Sequence, residues 1–562
     1  MRKFHHFIHN SAPWLLLWVA AGLMVPNIVL CFTELGCVWG KFANILFPLG
    51  VYLILLSLSR KTGRTALLMI PFMFFAAFQV VLLSLYGESV IAVDMFLNVA
   101  TTSYSEASEL LTSLLGAMAA VVVIYLSAII WGVFAVCDKA RLPQSWITAC
   151  RKTGIALGAA GLISVGIAYG ICKRYSFEHE TFPINAVSNL IEAFDRSFES
   201  KAYPETSRDF SYSARSTRPA DEPEVYVMVV GETSRALNWQ LAGYGRPTNP
   251  KLSGTAGLAF FPYSITESNT THKSVPMLLS YLSAENFNEL PHTKSIVSAF
   301  KEAGYATAFF SNQPPNGSYT QYFSEEADRT IYIKPNGSLP HLDEDLLGFL
   351  REELADTAAR KKFIVLHTYG SHFLYRDRYS KDCARFLPDD FIDASVKDRE
   401  KLINSFDNTV LYTDSVLSEI IDMLKRQNCR AAMFYSSDHG EDIFDDERQR
   451  FLHASPTPTY YQLRVATLCW LSDSLLKSEP RFEKALESNR GRRVSPQKSL
   501  FPSMLQAAGI ESPYITRSAS LLDKAYAPTP TVYLNDLNQA LLIENSGLRT
   551  IDKDLLAPYL DK

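Results

Sequence analysis

Five long stretches without a charged side chain crowd the first third of the chain: Ser11–Thr33, Phe42–Ser59, Thr65–Gly87, Leu110–Cys137 and Thr153–Cys172. Each reaches the ~18–20 residues that carry a helix across the hydrocarbon core of a bilayer. Soluble helices rarely run that far without a charged face, and a cleaved signal peptide would account for the first stretch alone. The pattern predicts five transmembrane helices. Residues 176–223, around ESKAYPETSRDFSYSARSTRPADEPE, are polar and proline-dotted and read as a neck. After them the short apolar runs EVYVMVVG, ATAFFS, KFIVLHT, AAMFYSS and VATLCWL alternate with helical patterns at Lys294–Ala303, Asp343–Ala358, Ser405–Arg426 and Pro496–Ala508. Runs suited to burial on both faces, alternating with helices, predict a mostly parallel sheet covered by helices. The expected division is 1–175 (transmembrane, with an outer-loop helix near 90–108), 176–223 (neck) and 224–562 (α/β domain).

Charge adds an orientation. Arg60, Lys61 and Arg64 lie in one loop, and Lys139, Arg141, Arg151 and Lys152 in another. The first loop has only Glu34 and Lys41, and the third is acidic, with Glu88, Asp94, Glu106 and Glu109. With Arg2 and Lys3 at the start, the excess of basic residues puts the N-terminus in the cytoplasm, and five crossings put everything after about residue 175 outside. A net charge of −4 offers no basic field to nucleic acid. The spans hold scarcely any ionisable residues, which argues against a transport path. Of eight cysteines, only Cys383, Cys429 and Cys469 lie in the exported part, enough for one intramolecular disulfide.

Four segments at strand ends are rich in polar groups: GETSR, HTYGSH, SSDHGE and ESNTTHKSVPMLLS (267–280). Carboxyl ends of strands are where open α/β sheets place their chemistry. Asp438 and His439 alone read as a turn cap and a surface imidazole. Glu232, at the end of the first strand of the same sheet, turns the set into a metal site, with zinc or a similar divalent ion favoured and manganese open. A hydroxyl as fourth ligand would be acidified into a nucleophile, and Ser268, Thr270, Thr271, Ser274 and Ser280 are the candidates. His372 and His453 are placed to steady a charged substrate group or to move protons.

The segments VVGETSRALNWQLAGYGRPTNPKL, SFDNTVLYTD (405–414), SSDHGED (436–442) and FLHASP (451–456), behind five membrane helices, resemble the membrane-anchored phosphoethanolamine transferases, including those acting on lipid A. These belong to the alkaline phosphatase and sulfatase superfamily. The resemblance implies an N-terminal bundle of five transmembrane helices plus a C-terminal α/β domain with a central, mostly parallel sheet. It implies Zn2+ held by Glu232, Asp438, His439 and Thr271, the threonine five residues before Pro276, with a second ion left open. Thr271 would take phosphoethanolamine from phosphatidylethanolamine and pass it to lipid A, lipopolysaccharide core or another envelope glycan. His372, His453 and Glu441 are implied at the phosphate, the acceptor or a second metal. Asn98, Thr102 and Glu106, in NVATTSYSEA (98–107), are implied at the ethanolamine head group, the other reading being an exposed polar helix face. The implied enzyme is a monomer in a bacterial inner membrane with its catalytic domain in the periplasm and a link to polymyxin resistance. A glycerophosphate transferase or a membrane-tethered phosphodiesterase of the same superfamily is the alternative. Arg235 and Lys273 read either as extra charge for a phosphate or as solvated surface groups, and a helix near TSRALNW is expected to aim its N-terminal amides at the phosphate. Many relatives flank the nucleophile with a cysteine pair; Glu267 and Met277 stand there, which marks a divergent subgroup.

Overall fold

The computed structural model describes residues 11–33, 37–86, 90–101, 114–172, 175–333, 341–391 and 394–562. They fall into two compact units, in the main residues up to Phe194 and residues from Asp195 onward.

The first unit is helical: α1 (Ala12–Thr33), α2 (Val38–Leu56), α3 (Thr62–Leu68), α4 (Ile70–Tyr86), α5 (Val93–Thr101), α6 (Gly116–Cys137) and α7 (Gln144–Ile171). Four of them, α1, α2, α6 and α7, are long and apolar enough to cross a membrane, and the α3–α4 pair, bent by 51°, makes up to five. The expected third span is therefore broken. Pro71, second residue of α4, has no N–H to continue the ladder across Met69. Helix α7 begins at Gln144, ahead of its charge-free stretch, and Arg151 Nη2 donates to the Ser57 carbonyl (2.9 Å). The two basic loops meet, with Arg60 Nε donating to the Leu142 carbonyl (3.0 Å) and Leu142 N–H to that of Arg60 (2.9 Å). At the opposite ends of α2 and α7, Cys37 and Cys172 form a disulfide. Between these ends the two helices touch backbone to backbone. A Cβ on Gly50 would lie 2.4 Å from Gly158 N, and one on Gly161 2.5 Å from Phe47 N. Small residues allow this approach where apolar surroundings supply little drive of their own. Within the expected neck, residues Ile184–Lys201 form helix α8.

The second unit is built on a seven-stranded sheet: β1 (Glu224–Gly231), β2 (Leu258–Phe260), β3 (Ala306–Ser311), β4 (Arg329–Tyr332), β5 (Lys361–His367), β6 (Arg430–Ser437) and β7 (Thr467–Leu471). The spatial order is β2-β7-β6-β1-β5-β3-β4. The pairs β6-β1, β1-β5, β5-β3 and β3-β4 are parallel, with Val230 opposite both His367 and Ser436. Strand β7 runs antiparallel to β6 and to β2, so the sheet is mixed. Parallel strands need a long crossover, and between β6 and β7 the only helix is Tyr460–Leu463. Every residue of β1 is buried, as its unbroken apolar run requires. Tyr226, Met228 and Val230 join Phe300, Phe309, Phe363, Phe434, Leu500 and Met504 in one core. Three further helices matter below: α9 (Thr271–Leu278), α10 (Arg399–Lys425) and α11 (Pro496–Ala507). TSRALNW and the residues after it form two short 3-10 turns, Ala236–Asn238 and Gln240–Ala242, in place of the expected helix.

Candidate active site

Two central, adjacent strands deliver the first three side chains. Glu232 follows the end of β1, and Asp438 and His439 follow the end of β6, all of them buried. Thr233 holds a left-handed backbone (φ +59°), a strained state for a β-branched residue. It is fixed there by its N–H to Asp438 Oδ1 (3.1 Å) and its hydroxyl to Glu232 Oε1 (2.7 Å). His439 Nδ1 lies 3.0 Å from the Gly440 carbonyl. A proton on Nδ1 satisfies that contact and leaves the Nε2 lone pair facing Asp438 Oδ2 (3.2 Å) and Glu232 Oε1 (3.5 Å).

The five hydroxyls separate by position. Thr271, first residue of α9, places Oγ1 3.0 Å from His439 Nε2 and 3.4 Å from Glu232 Oε1. Thr270 caps the helix with an extended backbone, and its hydroxyl lies 3.2 Å from Ser268 Oγ. Ser274 Oγ lies 3.0 Å from the Thr270 carbonyl and 3.3 Å from Asp438 Oδ2, and Ser280 donates to the Pro276 carbonyl (2.7 Å). The helix terminus at the cluster is that of α9.

The His453 ring lies against that of His439, centroids 4.0 Å apart and planes tilted by 37°, with Nδ1 3.5 Å from Glu441 Oε2. Glu441 is buried and accepts a hydrogen bond from the Tyr375 hydroxyl. One ligand atom from each of Glu232, His439 and His453 falls within 4.8 Å of the others, which brings His453 into the same cluster as the expected metal set. The ring of His372 is 6.4 Å from that of His453. Asn98 belongs to α5, and Thr102 and Glu106 lie outside the described residues.

Burial sets the electrostatics. It pushes Asp438 up to about 7, raises Glu232 (with the Asp438 charge second) and holds Glu441 well above the carboxylate range. It lowers His439 and, further, His453. A divalent ion held by these carboxylates and imidazoles would reverse that effect, since its charge favours the ionised carboxylates and the neutral imidazole lone pair. Two carboxylates, one imidazole with its lone pair inward and one hydroxyl fit zinc.

Several residues that support the cluster were not found by sequence reasoning. Gln313, just past the end of β3, donates to Glu232 Oε2 (3.0 Å) and to the Thr368 carbonyl (2.9 Å). Asp343 accepts the N–H groups of Tyr369 (2.7 Å) and Gly370 (2.9 Å) and so fixes the turn after β5. Gly370 needs its φ of +52°, and a Cβ there would sit 2.6 Å from the Glu232 carbonyl. The strand-end position of SNQ was the available signal for Gln313; Asp343 left none. Neither Arg235 nor Lys273 is a solvated surface group. Arg235 is buried and ion-paired with Asp445 (2.6 Å), and buried Lys273 donates to the Asn535 carbonyl (2.8 Å). The segment SFDNTVLYTD lies on α10 and braces the GYGRPTNPKL loop: Asp407 accepts from Asn238 (2.5 Å), Tyr244 (2.8 Å) and Arg246 (2.9 Å), and Asp414 from the N–H groups of Lys251 (3.1 Å) and Leu252 (3.0 Å). Glu267 and Met277 are both buried. The Glu267 carboxylate accepts from Ala284 N–H (2.7 Å) and Ser495 Oγ (2.8 Å), with Lys498 Nζ at 3.6 Å.

The chain is 27% identical over 304 residues to phosphoethanolamine transferase EptA of Escherichia coli K12, covering 53% of this chain and 55% of that protein. It is 30% identical over 294 residues to the Kdo(2)-lipid A phosphoethanolamine 7''-transferase of Salmonella typhimurium, covering 50% of each. The chain thus spans about half the length of the curated relatives it matches. The integral membrane lipooligosaccharide phosphoethanolamine transferase A of Neisseria meningitidis shares the fold, with a TM-score of 0.71 at 20% identity, over 91% of this chain and 98% of that one. The periplasmic domain of Escherichia coli EptC in complex with Zn shares it with a TM-score of 0.53 at 24% identity, over 59% of this chain and 95% of that one. The model of the sulfatase family matches residues 224–510. With just over half of its length matched in this way, the chain belongs to the sulfatase family.

Proposed function

We propose that this protein transfers phosphoethanolamine from phosphatidylethanolamine to an envelope acceptor of the lipid A or lipopolysaccharide class, through a phosphoethanolamine ester on Thr271. The observation that carries the reading is the position of Thr271 Oγ1, 3.0 Å from His439 Nε2 and 3.4 Å from Glu232 Oε1, at the start of α9. Glu232, Asp438, His439 and Thr271 would hold one zinc ion, which when bound supplies the positive charge that favours the ionised form of the hydroxyl. The oxygen of Thr271 attacks phosphorus, the bond from phosphorus to the diacylglycerol oxygen breaks, and that oxygen leaves with a proton. In the second half the acceptor oxygen bonds to phosphorus, the Thr271 ester opens, and Thr271 recovers its proton. His453, its Nδ1 turned toward Glu441, offers Nε2 to hold the acceptor's proton. His372 and Glu441 serve the phosphate and the acceptor, and Asn98, Thr102 and Glu106 the ethanolamine. The reading includes the division 1–175, 176–223 and 224–562, a monomeric state, and an inner-membrane protein with its catalytic part in the periplasm.

Intact-protein mass spectrometry of the full chain from membranes containing phosphatidylethanolamine tests the reading. The native protein carries an adduct of about 123 Da, the mass of the transferred group on a threonine nucleophile. Thr271→Ala loses both the adduct and transfer, while Thr270→Ala keeps them. Full transfer by Thr271→Ala overturns the mechanism. Metal analysis adds a second arm, in which Glu232→Ala and Asp438→Ala bind less zinc than the native chain.

A further inference from the structure

Helix α8 is built inside out for a helix in water. Its buried side holds Asn185, Ala186, Asn189 and Ala193, whereas Val187 (41% exposed), Ile191 (58%), Phe194 (58%) and Phe198 (66%) stand outward. Steps of four, three and four residues put those four side chains on one face, opposite the buried one. A soluble helix turns its apolar stripe to the core and its amides to solvent. The reversal has a local cause. Asn189 Nδ2 donates to the Ile91 carbonyl (2.7 Å) in the first unit, so the polar side is the packed side.

The chain leading into α8 is fastened to the membrane helices. Asn27 Nδ2, on α1, donates to the Phe182 carbonyl (2.7 Å), and Phe182 N–H donates to Asn44 Oδ1 (3.0 Å), on α2. The Phe177 ring packs edge-on against Phe47 of α2, centroids 5.3 Å apart. On α1 itself, Trp14 (66% exposed) and Phe32 (85%) also stand outward. Along one flank of the stripe run Ser188, Glu192, Asp195 and Glu199, a polar edge beside the apolar one.

We propose that α8 docks its Val187–Ile191–Phe194–Phe198 face into the acyl-chain boundary of the lipid leaflet beside the first unit. The occupant is lipid because the face is apolar and the chain leading into it is fastened to α1 and α2, helices long and apolar enough to cross a membrane. The proposal rests on the membrane reading of the first unit.

The test uses the full chain in native membranes with a benzophenone amino acid replacing one residue at a time: Ile191 or Phe194 on the stripe, Glu192 on the flank, and Trp14 on α1 as the membrane control. After irradiation, mass spectrometry identifies the adducts. Phospholipid adducts at Ile191 and Phe194 are expected at the Trp14 level, about five-fold or more above Glu192, as for a helix lying in the interface. Adducts to a second copy, to another protein or to another segment of this chain overturn the proposal, as does a lipid yield no higher than at Glu192. Loss of lipid adducts at Trp14 as well overturns the membrane reading and the proposal with it.

Discussion

The carboxyl group of Asp414, buried on α10, titrates at about 6 because burial raises it further than the N–H groups of Lys251 and Leu252 lower it. The folded chain therefore binds this proton more tightly than the unfolded one. Its stabilising contribution is complete below the unfolded value of about 4 and is lost as pH rises through about 6, a change of about 2 to 3 kcal/mol. Asp414→Asn should flatten this slope, measured as the difference in unfolding free energy between variant and native protein at pH 4.5 and 7. Gly370→Ala tests the backbone beside Glu232. The new Cβ needs the place of the Glu232 carbonyl, so the carboxylate shifts and transfer falls about 10²-fold while the melting temperature changes by a few degrees. Equal loss of fold and activity would show the glycine to be structural only. At this scale the sequence reading singled out Glu232, Asp438 and His439, which the structure brings within hydrogen-bond reach of one another; their signal is local, with chemistry concentrated in a few adjacent letters at strand ends. It did not reach Gln313 and Asp343, each a single polar residue whose partner lies dozens of positions away. Among the hydroxyls the letters gave no ranking of their own, since Thr270 and Thr271 differ by where the helix starts.

Elements were legible where a pattern is long. The apolar stretches foretold α1, α2, α6 and α7, and the unbroken runs foretold β1, β3, β5, β6 and β7. The short strands β2 and β4 carry too few residues for any periodicity, and the direction of β7 depends on a connection that the strand itself does not encode. Helix α8 escaped because its apolar positions sit among acids and serines, which reads as a polar neck unless lipid is counted as solvent. The α2–α7 contact gives a prediction for this scale. Gly50→Leu places its Cβ 2.4 Å from Gly158 N and must push the helices apart, and overpacking of this kind costs about 1–3 kcal/mol. The detergent-solubilised protein should melt earlier, whereas Gly166→Leu, with open space around it, should leave the melting temperature unchanged.

At the scale of the whole molecule, the membrane helices carry both the orientation signal and a covalent clasp. The basic loops lie at one end of α2 and α7, and the Cys37–Cys172 disulfide at the other. Disulfides persist in oxidising compartments, so the proposed orientation puts that end outside. In membranes prepared under thiol blocking, Cys37 and Cys172 should take up a maleimide-polyethylene glycol only after reduction, and uptake without reduction would speak against it. In the second unit Cys383, Cys429 and Cys469 are all free thiols, and the segment leading to Thr271 is held by the Glu267 carboxylate. A contact made of a carboxylate, an amide and a hydroxyl forms as soon as the chain closes on itself, with no electron acceptor and no isomerase. Folding of the second unit is thereby independent of thiol oxidation: a chain made without any disulfide-forming step would still fold its second unit, and only the clasp between α2 and α7 would be missing.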